Sequence, residues 1–108
     1  MHGIRDTDMA DRPLVFEDFA DKVGDIFAIS EAGVPAIPLI LREAEPLNPA
    51  MAPRGVRPPF FLNFIAGDPR VLPQAIYRME HEALGDVSIF LVPIAKDKDG
   101  VTYQATFN

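Results

Sequence analysis

The residues best suited to catalysis or metal binding in this chain lie in one short stretch. It reads Glu80-His81-Glu82, with Asp86 and Ser88 close behind. An imidazole beside carboxylates can act as a general base or as a metal ligand. His81, Glu82 and Asp86 therefore form the candidate polar cluster of this sequence.

Two specific chemistries are open to this cluster, and neither has the pattern that it needs. A zinc-protease helix would place a second histidine four residues after His81, where Gly85 stands. A hydrolase could use His81, Asp86 and Ser88, but the glycine-rich turn that exposes a catalytic serine is missing around Ser88. We expect His81 to end a strand and to form hydrogen bonds across the following turn. The sequence predicts no catalytic residue and no metal ligand.

A second candidate region is the proline-rich segment 46–59, which contains Arg54, Arg57 and Pro58. It has no apolar periodicity, and a loop this long in a small domain is either functional or mobile. Its two guanidinium groups could bind an anion or a partner's carboxylate. Arg54, Arg57 and Pro58 are therefore the candidate interaction loop, and solvated loop charge is the simpler interpretation.

The sequence Asp97-Lys98-Asp99-Gly100 has the spacing of the first calcium ligands in an EF-hand loop. The bidentate glutamate that such a loop needs does not follow. The segment is typical of a hairpin turn with Gly100 at positive φ. No cofactor is expected from this or any other motif.

Composition limits the remaining function classes. The 108 residues fit one domain, and the absence of cysteine excludes disulfides and thiolate chemistry. A net charge of -6 repels phosphate backbones, so nucleic acid is an unexpected partner. No apolar run could span a membrane, and residues 1–13 do not resemble a signal peptide. We expect a mobile tail at 1–13, a single β-rich domain at 14–108, and a cytoplasmic location.

Apolar periodicity predicts the elements that position these residues. Helical spacing of Phe16, Phe19, Ala20 and Val23 predicts one short helix over 16–23, capped by Gly24. Period-two alternation and turn signals predict six strands, at 25–31, 36–45, 60–66, 75–81, 87–94 and 101–108. The fold class is therefore mainly β (α+β): a small antiparallel barrel or a strongly curled sheet, with the helix as a plug.

Several segments together resemble a family of small bacterial domains of unknown function. The similarity covers nearly the whole chain after the tail, and its most specific part is an ordered series of short motifs. These motifs are Leu72-Pro73-Gln74, Tyr77, His81, Leu84-Gly85 and Phe90-Leu91-Val92-Pro93. The resemblance implies an accessory role near phage-tail-like or secreted assemblies, because such domains are sometimes encoded beside phage-tail-collagen-like proteins. It implies no catalytic residues.

Two functions follow as expectations. The first is a non-enzymatic interaction or assembly domain, with a protein partner or self-association through an available strand edge and the proline-rich loop. The second is a small barrel that binds an apolar or mixed small-molecule ligand. The aromatic residues that could line its cavity are Phe60, Phe61, Phe64, Tyr77, Phe90 and Tyr103.

Overall fold

The described residues form a closed antiparallel β-barrel of six strands. The computed structural model describes residues 14–47 and 58–107. The strands are β1 (Ile26–Ile29), β2 (Pro38–Pro46), β3 (Phe60–Ala66), β4 (Ala75–His81), β5 (Gly85–Asp97) and β6 (Gly100–Phe107). They run in the order β1-β2-β3-β6-β5-β4, and β1 pairs with β4 to close the ring. The prediction of a mainly β, antiparallel barrel is confirmed.

Closure of the barrel corrects one expectation about its surface. Each of the six described strands has a neighbour on both sides. A closed barrel removes the open edges that would otherwise pair with another chain. The expected free strand edge is therefore wrong, and any interaction surface on these strands must be made of side chains.

Alternation along the strands separates the core from the outer surface, as the sequence predicts. Along β4, Tyr77, Met79 and His81 are buried, while the residues between them are exposed. Successive side chains of a strand point to opposite faces, so the buried set fills the barrel interior. The same pattern holds on β5, where Val87, Ile89 and Leu91 are buried.

The predicted helix over 16–23 is largely wrong. The chain forms only a short 3-10 helix at Phe16–Asp18, with the Val15 N–H donating to the Asp18 carboxylate. The Gly24 N–H donates to the Leu41 carbonyl of β2 instead of capping a helix. A helix of two turns is marginal in water, and here the chain turns early so that Phe19 can enter the barrel.

Phe19 does act as the predicted plug. Its ring is fully buried and contacts the rings of Phe27, Phe60 and Phe107, with centroids about 6 Å apart. Phe16 packs edge-on against Phe60. These contacts cover one end of the barrel with aromatic side chains.

Four predicted strands have different bounds. β1 is shorter than the predicted 25–31 segment, because the chain leaves the sheet after Ile29 and turns at Gly33, where φ is +82°. β5 is longer than 87–94 at both ends, since His81 pairs with Gly85 and Asp97 pairs with Gly100. β2 covers Pro38–Pro46 instead of the predicted 36–45, and β6 begins at Gly100, one residue before the predicted start. Gly100 has the predicted positive φ.

The barrel has two halves, β1-β2-β3 and β4-β5-β6, each formed by three consecutive antiparallel strands. Ile26 faces Ile40 in the first half, and Ile76 faces Phe90 in the second. In both halves the second strand shifts register against the third, near Glu43 and near Ala95. The shift lies closer to Ile40 than to Phe90, so the two halves match in strand order but not residue by residue.

The two halves meet along two seams of the ring. Ile29 of β1 faces Met79 of β4 at one seam. At the other seam, Asn63 of β3 faces Gln104 of β6. Each half therefore presents its own outer surface of three adjacent strands.

Candidate functional site

His81 is the histidine of the candidate polar cluster, and its imidazole is held from three directions. The residue is only 4% exposed, at the end of β4. Its Nε2 lies 2.8 Å from Oδ2 of Asp25, a residue 56 positions earlier in the chain. Its Nδ1 accepts hydrogen bonds from the Ala83 and Leu84 N–H groups of the following turn, at 3.0 and 3.1 Å. The predicted hydrogen bonding across the turn is therefore observed.

This geometry fixes the tautomer of His81. Because Nδ1 accepts two backbone N–H groups, the ring proton resides on Nε2 and is donated to the Asp25 carboxylate. The ring also lies against Phe27, with centroids 4.6 Å apart. Both nitrogens are engaged, so neither is free to take a proton from a substrate.

The three residues of a hydrolase triad are not brought together. Asp86 and Ser88 are exposed and face Glu80 and Arg78 on the outside of the barrel. His81 points inward from the same hairpin. A triad needs nucleophile and base within hydrogen-bond reach, and these side chains lie on opposite faces of the sheet.

A pocket of about 380 Å³ opens beside the His81–Asp25 contact. It is lined by Gly24, Asp25 and Ile26 from the start of β1, and by His81 and Glu82 from the end of β4. The side chain of Asp25 is 44% exposed, so its carboxylate reaches solvent while it binds His81. Two carboxylates thus border a concave surface next to an exposed isoleucine.

Asp25 is the member of this site that sequence reasoning missed. It precedes β1, and its carbonyl accepts the Leu41 N–H of β2, which fixes the backbone there. Nothing near Asp25 in the sequence marks it as a partner of His81, because only the β1–β4 closure brings them together. Within the described part of the chain, no group of three His, Cys, Asp or Glu side chains is arranged to hold a metal ion.

The candidate interaction loop lies mostly outside the described residues. Arg54 and Arg57 fall within the segment 48–57, which the structure does not describe. Pro58 is exposed just before β3, and the Leu47 N–H donates to the Pro59 carbonyl at 2.9 Å. The ends of the loop are therefore held together at the barrel. The predicted tail at 1–13 is likewise outside the described residues.

The six aromatic residues expected around a cavity do not share one. Phe60, Phe64, Tyr77 and Tyr103 are buried in the barrel core. Phe90 is 47% exposed on the outer face, since it alternates with the buried Ile89 and Leu91. Phe61 is half-buried between the inward-facing Phe60 and Leu62. These last two side chains therefore cannot line an internal ligand site with the other four.

Comparison with known proteins gives a family without an assigned activity. A family model described as Domain of unknown function (DUF6916) matches residues 14–107. The chain belongs to this family. No curated protein and no solved structure matches the chain. The DUF6916 match covers the six described strands and the His81–Asp25 contact, and it carries no statement about phage tails, ligands or partners. Among the described residues, no helix is long and apolar enough to cross a membrane.

Proposed function

We propose that this DUF6916 domain is a non-enzymatic interaction or assembly module that acts through the outer surface of its barrel. The observation that carries the proposal is a set of large apolar side chains on the outside of the described strands. Ile26 is 57% exposed, Ile40 42%, Ile76 66% and Phe90 47%. Solvent-exposed apolar residues that adjoin one another are typical of protein-binding surfaces.

The arrangement of these side chains supports the proposal further. They come in adjacent pairs, because Ile26 faces Ile40 and Ile76 faces Phe90 on neighbouring strands. Facing pairs on a sheet form a continuous surface, since their Cβ atoms lie about 5 Å apart. The titratable residue with the most catalytic potential, His81, is buried and has both nitrogens engaged. An interaction role uses the accessible surface and needs no free base.

The proline-rich loop remains part of this proposal. Arg54, Arg57 and Pro58 would contribute to the same partner contact, because guanidinium groups can bind a partner's carboxylates. A role near tail-like or secreted assemblies, as the sequence resemblance implies, would be one form of the same function. Self-association would be another.

The experiment is an affinity capture from an extract of the source organism, read by mass spectrometry. The comparison is a variant in which the segment between Leu47 and Pro59 is shortened, which keeps the contact that closes the loop. Native mass spectrometry of the purified protein tests self-association in parallel. A specific partner or a defined oligomer is the expected result. A strictly monomeric protein that captures nothing would overturn the proposal.

A second candidate is the binding of a small molecule, and the pocket beside His81 favours it. A volume of about 380 Å³ is within the range of small-ligand sites. Its lining combines the apolar Ile26 with the carboxylates of Asp25 and Glu82, which suits a mixed ligand with an amine. A retained small molecule in native mass spectra, lost in Glu82→Lys, would favour this function over the first.

A further inference from the structure

Three isoleucines form one row across the outside of the first half of the barrel. Ile26 of β1 faces Ile40 of β2, and Ile40 faces Ile65 of β3. Ile26 and Ile40 are exposed, and Ile65 is half-buried. We name Ile26, Ile40 and Ile65 the isoleucine face.

The isoleucine face is continuous with the pocket beside His81. Ile26 is both the end of the row and a wall of the pocket, where Asp25 and Glu82 supply carboxylates. Glu80 and Asp86 also face each other on the outside of the adjoining strands β4 and β5. The apolar row therefore ends in a region that is rich in negative charge.

Basic side chains near this region offset only part of its charge. Lys22 is paired with Asp21 at 2.6 Å, and Arg42 of β2 and Arg78 of β4 are exposed. Against these stand the four carboxylates of Asp25, Glu80, Glu82 and Asp86, in a chain whose net charge is -6. A complementary partner would bring positive charge to the pocket and apolar groups to the isoleucine face.

Resting on the function proposed above, we infer that the isoleucine face and the adjoining pocket dock a segment of a partner protein that carries apolar side chains beside a lysine or arginine. The apolar side chains cover Ile26, Ile40 and Ile65. The cation enters the pocket at Asp25 and Glu82. Because all six described strands are already paired, the segment binds by its side chains and not as an added strand.

The second half of the barrel supplies a control surface. Ile76 and Phe90 face each other on β4 and β5, as Ile26 and Ile40 do on β1 and β2. Ile76 is 66% exposed and Phe90 47%. The control surface therefore has a facing apolar pair of similar exposure, and neither residue lines the pocket beside His81.

The test uses a random peptide library displayed on phage and panned against the immobilised protein. The enriched peptides are then synthesised, and their affinities are measured by fluorescence polarisation for the wild type and five variants. Ile26→Arg and Glu82→Lys change the proposed surface, whereas Ile76→Arg and Asp99→Lys make the same changes elsewhere. The fifth variant, Ile40→Thr, is a milder change at the same surface. Because threonine is also β-branched and suits a strand, this variant should fold even if Ile26→Arg does not. Circular dichroism confirms that each variant is folded.

The expected peptides combine apolar residues with a lysine or arginine. Ile26→Arg and Glu82→Lys should each weaken their binding at least ~10-fold, and the two controls should change it less than ~2-fold. Peptides without a basic residue, equal losses in the controls, or no enrichment would overturn the inference. So would a dimer of this chain that Ile26→Arg dissociates, because the occupant would then be a second copy.

Affinity capture separates this inference from the function on which it rests. A partner that is captured equally by the wild type, Ile26→Arg and Glu82→Lys would refute the isoleucine face and leave the interaction function standing. A partner that is lost in those two variants and retained in Ile76→Arg supports both. Failure of the wild type to capture any partner or to self-associate would refute both.

Discussion

Nε2 of His81 lies 2.8 Å from Oδ2 of Asp25 and joins the end of β4 to the residue that precedes β1. The two residues are 56 positions apart in the chain and meet only because β1 and β4 pair to close the barrel. With Nδ1 accepting two backbone N–H groups, the imidazole fixes both the seam and the β4–β5 turn. The role of His81 is therefore structural in this geometry.

Replacing His81 should destabilise the fold strongly. His81→Ala leaves a cavity in the core and removes the acceptor of two turn amides, so we expect a loss of about 2–4 kcal/mol in the free energy of unfolding. Asp25→Ala removes one hydrogen bond and should cost about 1 kcal/mol. Urea unfolding measures both, and Glu82→Ala is the exposed control, with an expected change below ~0.5 kcal/mol. A His81→Ala protein as stable as the wild type would contradict this role.

The aromatic plug gives a second prediction. Phe19 is fully buried against Phe27, Phe60 and Phe107, so Phe19→Ala should lower the free energy of unfolding by about 3–5 kcal/mol. Phe90→Ala removes the same side chain from the outer face and should cost under ~1 kcal/mol. Denaturant unfolding of both variants measures the two changes in the free energy of unfolding. Equal losses would mean that Phe19 does not close the barrel end.

Gly100 should tolerate no side chain. Its φ is +128°, and a Cβ at this position would lie 1.9 Å from the carbonyl oxygen of Ala66 on the neighbouring strand. Gly100→Ala must therefore shift β6 against β3, at an expected cost of at least ~3 kcal/mol. Gly67→Ala is the matched control, because a Cβ there meets no atom within 4 Å. Thermal unfolding should show a large loss for Gly100→Ala alone.

Tyr77 provides a prediction for alkaline pH. Burial, with a smaller contribution from Tyr103, raises the pKa of the Tyr77 hydroxyl above its ordinary value of 10. The hydroxyl donates to the Pro73 carbonyl oxygen, a contact that needs the protonated form. Because the folded pKa is raised, the stabilisation is complete below the unfolded pKa and is lost as the pH rises through the folded pKa.

An ultraviolet titration of phenolate formation measures this effect. Compared with the wild type, Tyr77→Phe should lose a titrating group whose pKa lies above 10. The difference in the free energy of unfolding between wild type and Tyr77→Phe should also shrink at alkaline pH. Loss of a group that titrates at its ordinary pKa would contradict the buried environment of Tyr77.

Much of the barrel could be predicted from the sequence, because the alternation of apolar and polar residues along a strand indicates which side chains are buried. The buried positions of β4, such as Tyr77 and Met79, follow from period-two spacing alone. The helix over 16–23 was predicted wrongly, since four apolar residues at helical spacing do not show that only Phe19 would be buried fully. The local sequence pattern does not predict the tertiary contacts that end the 3-10 helix.

The site was harder to predict from the sequence, because its contacts also depend on tertiary structure. His81 was identified from its neighbours, but Asp25 needs the β1–β4 register, which has no local signal. The isoleucine face likewise depends on which strand lies beside which, because Ile26, Ile40 and Ile65 are far apart in sequence. Charged residues and turns can be recognised from adjacent residues, whereas a surface that spans several strands depends on which strands are neighbours in the sheet.

The central claim is that this domain binds a protein partner through the isoleucine face. A photo-reactive amino acid at position 40, compared with one at position 90 on the control surface, tests it most directly in an extract of the source organism. We predict covalent capture of a partner from position 40 and much less from position 90, with the cross-linked segment containing a lysine or arginine among apolar residues. No adduct at position 40, or equal adducts at both positions, would contradict the claim.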